Sequence, residues 1–74
     1  MEFEQEITSL IRADYAKIAQ IYPKGTSMLF IKPYASGTVI NVSEKMSQKY
    51  SKSYHYFLAL VSPIAQNLMK EYFG

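Results

Sequence analysis

The sequence predicts a small α+β domain whose elements follow the order α-β-β-α. Apolar residues recur at helical spacing in the first third of the chain and again over residues 43–73. Between these segments lie two short runs rich in apolar and β-branched residues, separated by a stretch that contains Pro33 and Gly37. This arrangement is typical of a two-stranded antiparallel hairpin packed against two helices.

The first element is predicted to be a helix over residues 2–22. Early Glu side chains suit the positive end of a helix dipole, and Pro23 and Gly25 are expected to end the helix. Seven apolar residues recur as a buried stripe would: Phe3, Ile7, Leu10, Ile11, Tyr15, Ile18 and Ile21.

The middle of the chain is predicted to be a β-hairpin, with strands at residues 27–32 and 38–42. The loop at residues 33–37 has an ordinary length for a hairpin connection. Because side chains alternate along a strand, Leu29 and Phe30 point to opposite faces, and both faces are apolar. Two helices on one face would leave the other face partly uncovered.

Residues 43–73 are predicted to form one long helix capped by Ser43. Pro63 lies inside this segment. Because the apolar stripe stays in phase on both sides of the proline, we expect a kinked helix. A break into two helices, with Ser62 as the second cap, is the alternative. The stripe consists of Met46, Tyr50, Tyr54, Phe57, Val61, Ile64, Leu68 and Tyr72.

The chain has 74 residues, which allows a single domain over residues 1–74. A domain of this size buries only about 60% of the surface that its unfolded chain exposes. It has no cysteine for a disulfide or a thiolate site, and His55 alone cannot form a zinc site. We therefore expect no cofactor and no metal, and we expect a partner or self-association to stabilise the fold.

The uncovered hairpin predicts a homodimer. A second copy could pair with an exposed strand edge and complete a four-stranded sheet. The candidate interface residues are Met28, Phe30, Tyr34 and Val39.

Positive charge is concentrated in the later part of the chain. Residues 1–21 carry two basic and four acidic side chains, whereas residues 22–74 carry six basic and two acidic ones. On the predicted last helix, a basic flank lies away from the apolar stripe, and we call it the lysine strip: Lys45, Lys49, Lys52, Tyr56 and Lys70. It is either a solvated flank or a contact for phosphates or an acidic protein surface.

No catalytic motif is present, and we expect neither enzymatic activity nor a small-molecule substrate. His55 has no nearby partners for a triad, and the glycines are too isolated to form a phosphate loop. The most apolar run, residues 57–65, is far shorter than the ~20 residues of a spanning helix, and the acidic N-terminus does not resemble a signal peptide. We expect a cytoplasmic protein that does not bind membranes.

These features favour a non-enzymatic protein-binding module, either a dimeric regulator or an inhibitor. Abundant Lys, Ile, Tyr and Ser with a single Arg is typical of AT-rich coding sequences, which suggests a low-GC bacterium or its phage or mobile element as the source. One alternative is a nucleic-acid-binding module that uses the lysine strip. Another is a structural subunit of a larger assembly. No motif is specific enough to assign a family.

Overall fold

The computed structural model covers residues 1–74 and contains three helices and no strand. Helix α1 spans Glu4–Ile21, α2 spans Met28–Tyr50 and α3 spans Tyr54–Phe73. The predicted α+β fold is therefore wrong, and the protein is an all-helical three-helix bundle. None of the three helices is long and apolar enough to cross a membrane.

The helices run up, down and up along a bundle about 38 Å long. Phe3 packs against Tyr50 at the end of α2 and against Phe57 at the start of α3, with ring centroids 4.7 and 5.1 Å away. At the other end of the bundle, Tyr15 lies 5.3 Å from Phe73. These contacts make α1 and α3 parallel and α2 antiparallel to both. The most extensive helix pair is α2 with α3.

The prediction of a first helix is confirmed, with ends shifted by no more than two residues. Its buried residues are Ile7, Ile11, Tyr15 and Ile18, all members of the predicted stripe. The helix ends where Tyr22 adopts an extended backbone before Pro23. Gly25 then reverses the chain with a φ of +94°, a conformation that side chains other than glycine rarely adopt.

The predicted hairpin is wrong because residues 28–50 form one continuous helix. Its start is fixed by Ser27, whose hydroxyl accepts a hydrogen bond of 3.2 Å from the backbone N–H of Leu29. Ile31, Ala35, Val42 and Met46 then recur at helical spacing and are buried against α1 and α3. Tertiary burial thus overrides the local strand preference of the β-branched residues.

Two residues that suggested a hairpin loop lie inside α2 on its solvent side. Pro33 removes one helical hydrogen bond, to the carbonyl of Leu29, but that carbonyl belongs to an exposed residue that water can reach. Gly37 has open space around the position of a Cβ atom. The helix therefore tolerates both residues at a moderate loss of stability.

The predicted single helix over residues 43–73 is also wrong, because a turn at residues 51–53 divides it. Ser51 takes a left-handed conformation, with φ at +54°, and ends α2. Ser53 begins α3, its hydroxyl accepting a hydrogen bond from the N–H of His55. Ser43 is not a cap: it lies inside α2 and donates its hydroxyl to the carbonyl of Val39 at 2.7 Å.

Helix α3 runs through Pro63 without ending, as the sequence analysis favoured over two separate helices. Proline leaves the carbonyl of Ala59 without its helical donor, and both residues are exposed to water. The hydroxyl of Ser62 donates to the carbonyl of Leu58 at 2.7 Å in the same turn. An outward-facing proline with a solvated carbonyl is compatible with a continuous helix.

A single core joins all three helices. Its largest fully buried side chains include Tyr15 and Phe57, and the hydroxyl of Tyr15 points to the carbonyl of Ala35 at 3.4 Å. Every buried side-chain nitrogen and oxygen has a hydrogen-bond partner. The apolar core consists of Phe3, Ile7, Ile11, Tyr15, Ile18, Ile31, Ala35, Val42, Met46, Phe57, Val61, Ala65 and Leu68.

We expect Phe57→Ala to destabilise the fold by about 3–5 kcal/mol, because it removes a fully buried ring that contacts Phe3 and Tyr50. A domain of this length has a free energy of unfolding of about 4–11 kcal/mol, so the substitution removes a large share of the stability and unfolds much of the protein if the wild type lies near the lower value. Urea unfolding followed by circular dichroism measures the effect. Tyr56→Ala, which truncates the neighbouring exposed ring, is the matched control and should lose about 1 kcal/mol. Equal losses in both variants would contradict this core.

The turn between α2 and α3 gives a second prediction. Two substitutions, at positions two residues apart, should change the stability of the protein in opposite directions. Ser51→Gly should stabilise the protein by about 0.5–1 kcal/mol, because glycine adopts the left-handed conformation without strain. Ser53→Ala should destabilise it by about 0.5–2 kcal/mol, because it removes the N-cap of α3. The same urea titrations compare both variants. A loss of stability in Ser51→Gly would argue for a continuous helix at this point.

Candidate functional site

The outer side of α2 carries an unusual amount of exposed apolar surface. The exposed fractions are 83% for Leu29, 63% for Phe30, 53% for Tyr34 and 46% for Ile40. At 100° per residue, these side chains fall within an arc of about 140°. Together with the residues between them they form a surface that we call the α2 face: Leu29, Phe30, Pro33, Tyr34, Gly37 and Ile40.

The buried side of α2 determines that this face points outward. Ile31, Ala35 and Thr38 lie on the opposite side of the helix and are at most 4% exposed. Because these residues fix the rotation of α2, Leu29 and Phe30 cannot turn into the core. The apolar residues of the α2 face are therefore left in solvent by the packing of the same helix.

Charge is nearly absent from this surface. Over residues 29–43 the only charged side chain is Lys32, which lies at the flank of the α2 face. Glu44 continues the face one turn beyond Ile40. Neither Lys32 nor Glu44 forms an ion pair in the monomer, where the two salt bridges join Arg12 to Glu71 and Glu6 to Lys49.

A shallow groove lies on each side of α2. The groove towards α1, about 360 Å³, is lined by Pro33, Tyr34 and Gly37 together with Lys17 of α1. The groove towards α3, about 310 Å³, is more apolar and includes Ile40 at its edge. The small side chains of Ala35, Ser36 and Ala65 also line this second groove. The α2 face is thus a ridge between two channels, a shape that suits an elongated partner.

The predicted interface residues divide between this surface and the interior. Phe30 and Tyr34 lie on the α2 face, and the ring of Tyr34 also lies 5.4 Å from that of Tyr22. Met28 and Val39 are half-buried and pack against the core. The sequence analysis did not select Leu29, Gly37 or Ile40. If residues 28–50 had been treated as a helix that starts at the Ser27 cap, helical spacing would have placed these three residues on the same face as Phe30 and Tyr34.

The lysine strip is divided by the structure. Lys45 and Lys49 lie in the last turns of α2, Lys52 lies in the turn, and Tyr56 lies in the first turn of α3. The Nζ of Lys52 is 5.1 Å from the centroid of the Tyr56 ring. Lys70 lies about 21 Å beyond Tyr56 along α3, at the other end of the bundle. The strip is therefore one cluster of four residues and one separate lysine.

Within that cluster, Lys49 is neutralised by Glu6 of α1. The Nζ of Lys49 donates to a carboxylate oxygen of Glu6 at 2.7 Å, and the phenol of Tyr50 donates to the other oxygen. These bonds hold the pKa of Glu6 below its ordinary value of 4.5, with the bond from Lys49 the largest cause. The same carboxylate raises the pKa of Lys49 and of Tyr50. Only Lys45 and Lys52 remain as unpaired cations here.

A second ion pair joins α1 to α3 at the opposite end. Arg12 donates to the carboxylate of Glu71 and also to the hydroxyl of Tyr72 at 3.4 Å. The bond from Arg12 lowers the pKa of Glu71. Both partners are about half-exposed, so this contact orients the helices more than it stabilises them.

No group of three or more His, Asp or Glu side chains is placed to hold a metal ion. His55 is exposed in the first turn of α3, beside the ring of Tyr54 at 5.6 Å. Asp14, Lys17 and Thr38 all line the groove towards α1.

The two ion pairs predict that the protein loses stability in acid. Glu6 and Glu71 have folded-state pKa values below those of the unfolded chain, so their contribution is complete above the unfolded value of about 4.5. It is lost as the pH falls through the folded values. We therefore expect the midpoint of thermal unfolding to drop below pH 4.5, with a smaller drop in Glu6→Gln. Glu2→Gln, in the same acidic segment but without an ion pair, should retain the wild-type profile. An unchanged profile in Glu6→Gln would contradict the bond to Lys49.

The α2 face and the lysine cluster at the α2–α3 turn are the two surfaces whose chemistry suits a partner. The first is apolar and nearly uncharged, and the second is basic and small. Comparisons with protein-family models, with curated proteins and with solved structures find no match for this chain.

Proposed function

We propose that this protein is a non-enzymatic protein-interaction module that binds through the α2 face. The observation that carries the proposal is the exposure of four large apolar side chains on one side of a single helix: Leu29, Phe30, Tyr34 and Ile40. Large apolar residues gathered in one contiguous patch mark interaction sites, whereas single ones scattered over a surface do not.

The chemistry of the face favours a protein over a nucleic acid as its partner. Binding to nucleic acid depends mainly on cations that contact phosphates, and Lys32 is the one cation within residues 29–43. Exposed aromatic and aliphatic side chains with charge only at the rim are typical of the centre of a protein interface. Phe30 and Tyr34 supply the rigid aromatic anchors that contribute most to such contacts.

The shape of the face favours an amphipathic helix as the bound element. A ridge with a channel on each side accepts the ridges of a second helix in its grooves. Gly37 lies near the middle of the ridge and lets a second backbone approach closely, because it has no side chain there. The partner is thus a protein whose helix presents apolar residues at i, i+3 and i+4.

Nucleic-acid binding is the weaker candidate. It would depend on Lys45, Lys52 and the ring of Tyr56, since Glu6 neutralises Lys49 and Lys70 lies at the far end of the bundle. Two free lysines give weak binding that salt removes. A regulator or inhibitor encoded by a phage or mobile element remains our preferred biological role, supported by the small size of the chain and by an amino-acid composition typical of AT-rich coding sequences. A structural subunit would use the same α2 face.

Site-specific photo-crosslinking tests the α2 face. A benzophenone side chain replaces Phe30 in one variant and Tyr56, at the opposite end of the bundle, in a control. We expect a discrete protein adduct from position 30 and none from position 56. Adding Leu29→Ser/Tyr34→Ser to the variant that carries benzophenone at position 30 should abolish the adduct, because the neighbouring anchors are then missing.

Fluorescence anisotropy with oligonucleotides at about 50 and 200 mM salt tests the other candidate. We expect no change in anisotropy as the protein is added to any of the oligonucleotides. Salt-sensitive binding that Lys45→Glu/Lys52→Glu abolishes and Leu29→Ser/Phe30→Ser retains would assign the function to the lysine cluster. In that case the proposal for the α2 face would fail.

A further inference from the structure

We infer that the helix bound by the α2 face is α2 of a second copy of this chain, antiparallel to the first and related to it by a twofold axis at Gly37. This inference rests on the proposed function and names the partner. A twofold interface brings the same patch of both copies together, so a nearly neutral face avoids like-charge repulsion and a glycine close to its centre lets the two helices approach.

The area of the face is enough for such a dimer. Taking about 200 Å² for a whole large side chain, the exposed parts of Leu29, Phe30, Tyr34 and Ile40 amount to roughly 500 Å². Two copies that covered these side chains completely would bury roughly 1,000 Å² together, which is the lower limit for a specific interface. We therefore expect a dimer with a dissociation constant on the order of micromolar rather than nanomolar.

Antiparallel pairing about Gly37 places large apolar residues opposite each other near the axis, and it places Phe30 and Leu29 opposite the aliphatic stems of Glu44 and Lys45 further out. Residues whose numbers sum to 74 lie opposite each other across the axis, so Tyr34 faces Ile40 of the second copy and Gly37 faces itself. The distance between helix axes depends on the side chains at the crossing point, and two glycines allow the closest approach. Gly37 weakens an exposed helix by about 1 kcal/mol relative to alanine, and nothing in the monomer fills the space beside it.

The charges select the antiparallel orientation. Glu44 lies opposite Phe30 of the second copy and within about 3 Å, along the helix axis, of the level of its Lys32. Each Glu44 thereby gains a cation that it lacks in the monomer. Parallel pairing would instead place Glu44 beside Glu44 and Lys32 beside Lys32, and like charges oppose association.

Analytical ultracentrifugation between about 1 and 100 μM tests the inference. The wild type should change from monomer to dimer across this range. Gly37→Glu should raise the dissociation constant at least 100-fold, because the new carboxylate meets its own copy at the axis. The same variant should fold at least as well as the wild type by circular dichroism, since glutamate favours helix and the site is open. Gln48→Glu adds the same charge elsewhere on α2 and should dimerise normally.

A charge exchange tests the orientation independently of folding. Glu44→Lys should weaken the dimer about tenfold, and adding Lys32→Glu should restore it, because the pair is then reversed. Failure of the second substitution to restore the dimer would overturn the antiparallel arrangement.

The outcomes separate this inference from the proposed function. A wild type that stays monomeric at 100 μM, while position 30 still crosslinks to a different protein, overturns the dimer and leaves the protein-interaction module standing. A monomer that crosslinks to no protein overturns both. Binding of the monomer to phosphatidylserine vesicles, lost in Leu29→Ser/Phe30→Ser, would assign the face to a lipid surface and would also overturn both.

Discussion

The rotation of α2 about its own axis is the constraint on which the rest of the structure depends. This helix is the one that packs antiparallel to both others, and its buried stripe of Ile31, Ala35, Val42 and Met46 forms the middle of the core. Small side chains at Ala35 and Thr38 let the neighbouring helices approach, and the hydroxyl of Tyr15 reaches the carbonyl of Ala35. Once these contacts fix the rotation, they also determine which side chains of α2 face solvent. The core and the candidate binding surface are therefore two sides of one helix.

The elements that could be predicted from the sequence are those in which local signals and tertiary packing agree. In α1 the apolar period, the acidic first turn and Pro23 all indicate the same helix. In α2 the local signals and the tertiary packing disagree. Leu29 and Phe30 place apolar side chains on the solvent side, so this helix lacks the division into an apolar and a polar face that identifies an amphipathic helix. Pro33 and Gly37 then resemble loop residues, although each faces water and is tolerated there. The turn at residues 51–53 contains neither glycine nor proline, and the apolar stripe keeps its phase across it, so nothing in the pattern indicated a break.

The candidate site was predictable only in part. The excess of apolar surface could be seen in the sequence, and Phe30 and Tyr34 were selected from it, but an alternating strand assigns the wrong neighbours to both. Met28 was chosen with them, although on a helix it turns towards the core. The neutralisation of Lys49 could not have been foreseen, because Glu6 and Lys49 are 43 positions apart and meet only through the packing of α1 against the end of α2. Contacts between residues so far apart in the sequence depend on how the helices pack together, which local sequence patterns do not determine.

The short turn between α2 and α3 also has a consequence for the order in which the chain folds. Residues 51–53 connect the pair of helices with the most extensive contact, so the entropy lost on closing that loop is small. A pairing that is both local and extensive favours an early α2–α3 hairpin, with α1 docking afterwards through its own stripe. Under this hypothesis, truncation of Val61 would slow folding, whereas truncation of Ile11 would mainly speed unfolding, and the reverse pattern in stopped-flow kinetics would refute it. During synthesis, α1 would then leave the ribosome before α2 and α3. It would stay unpacked until those two helices had formed the surface against which it docks.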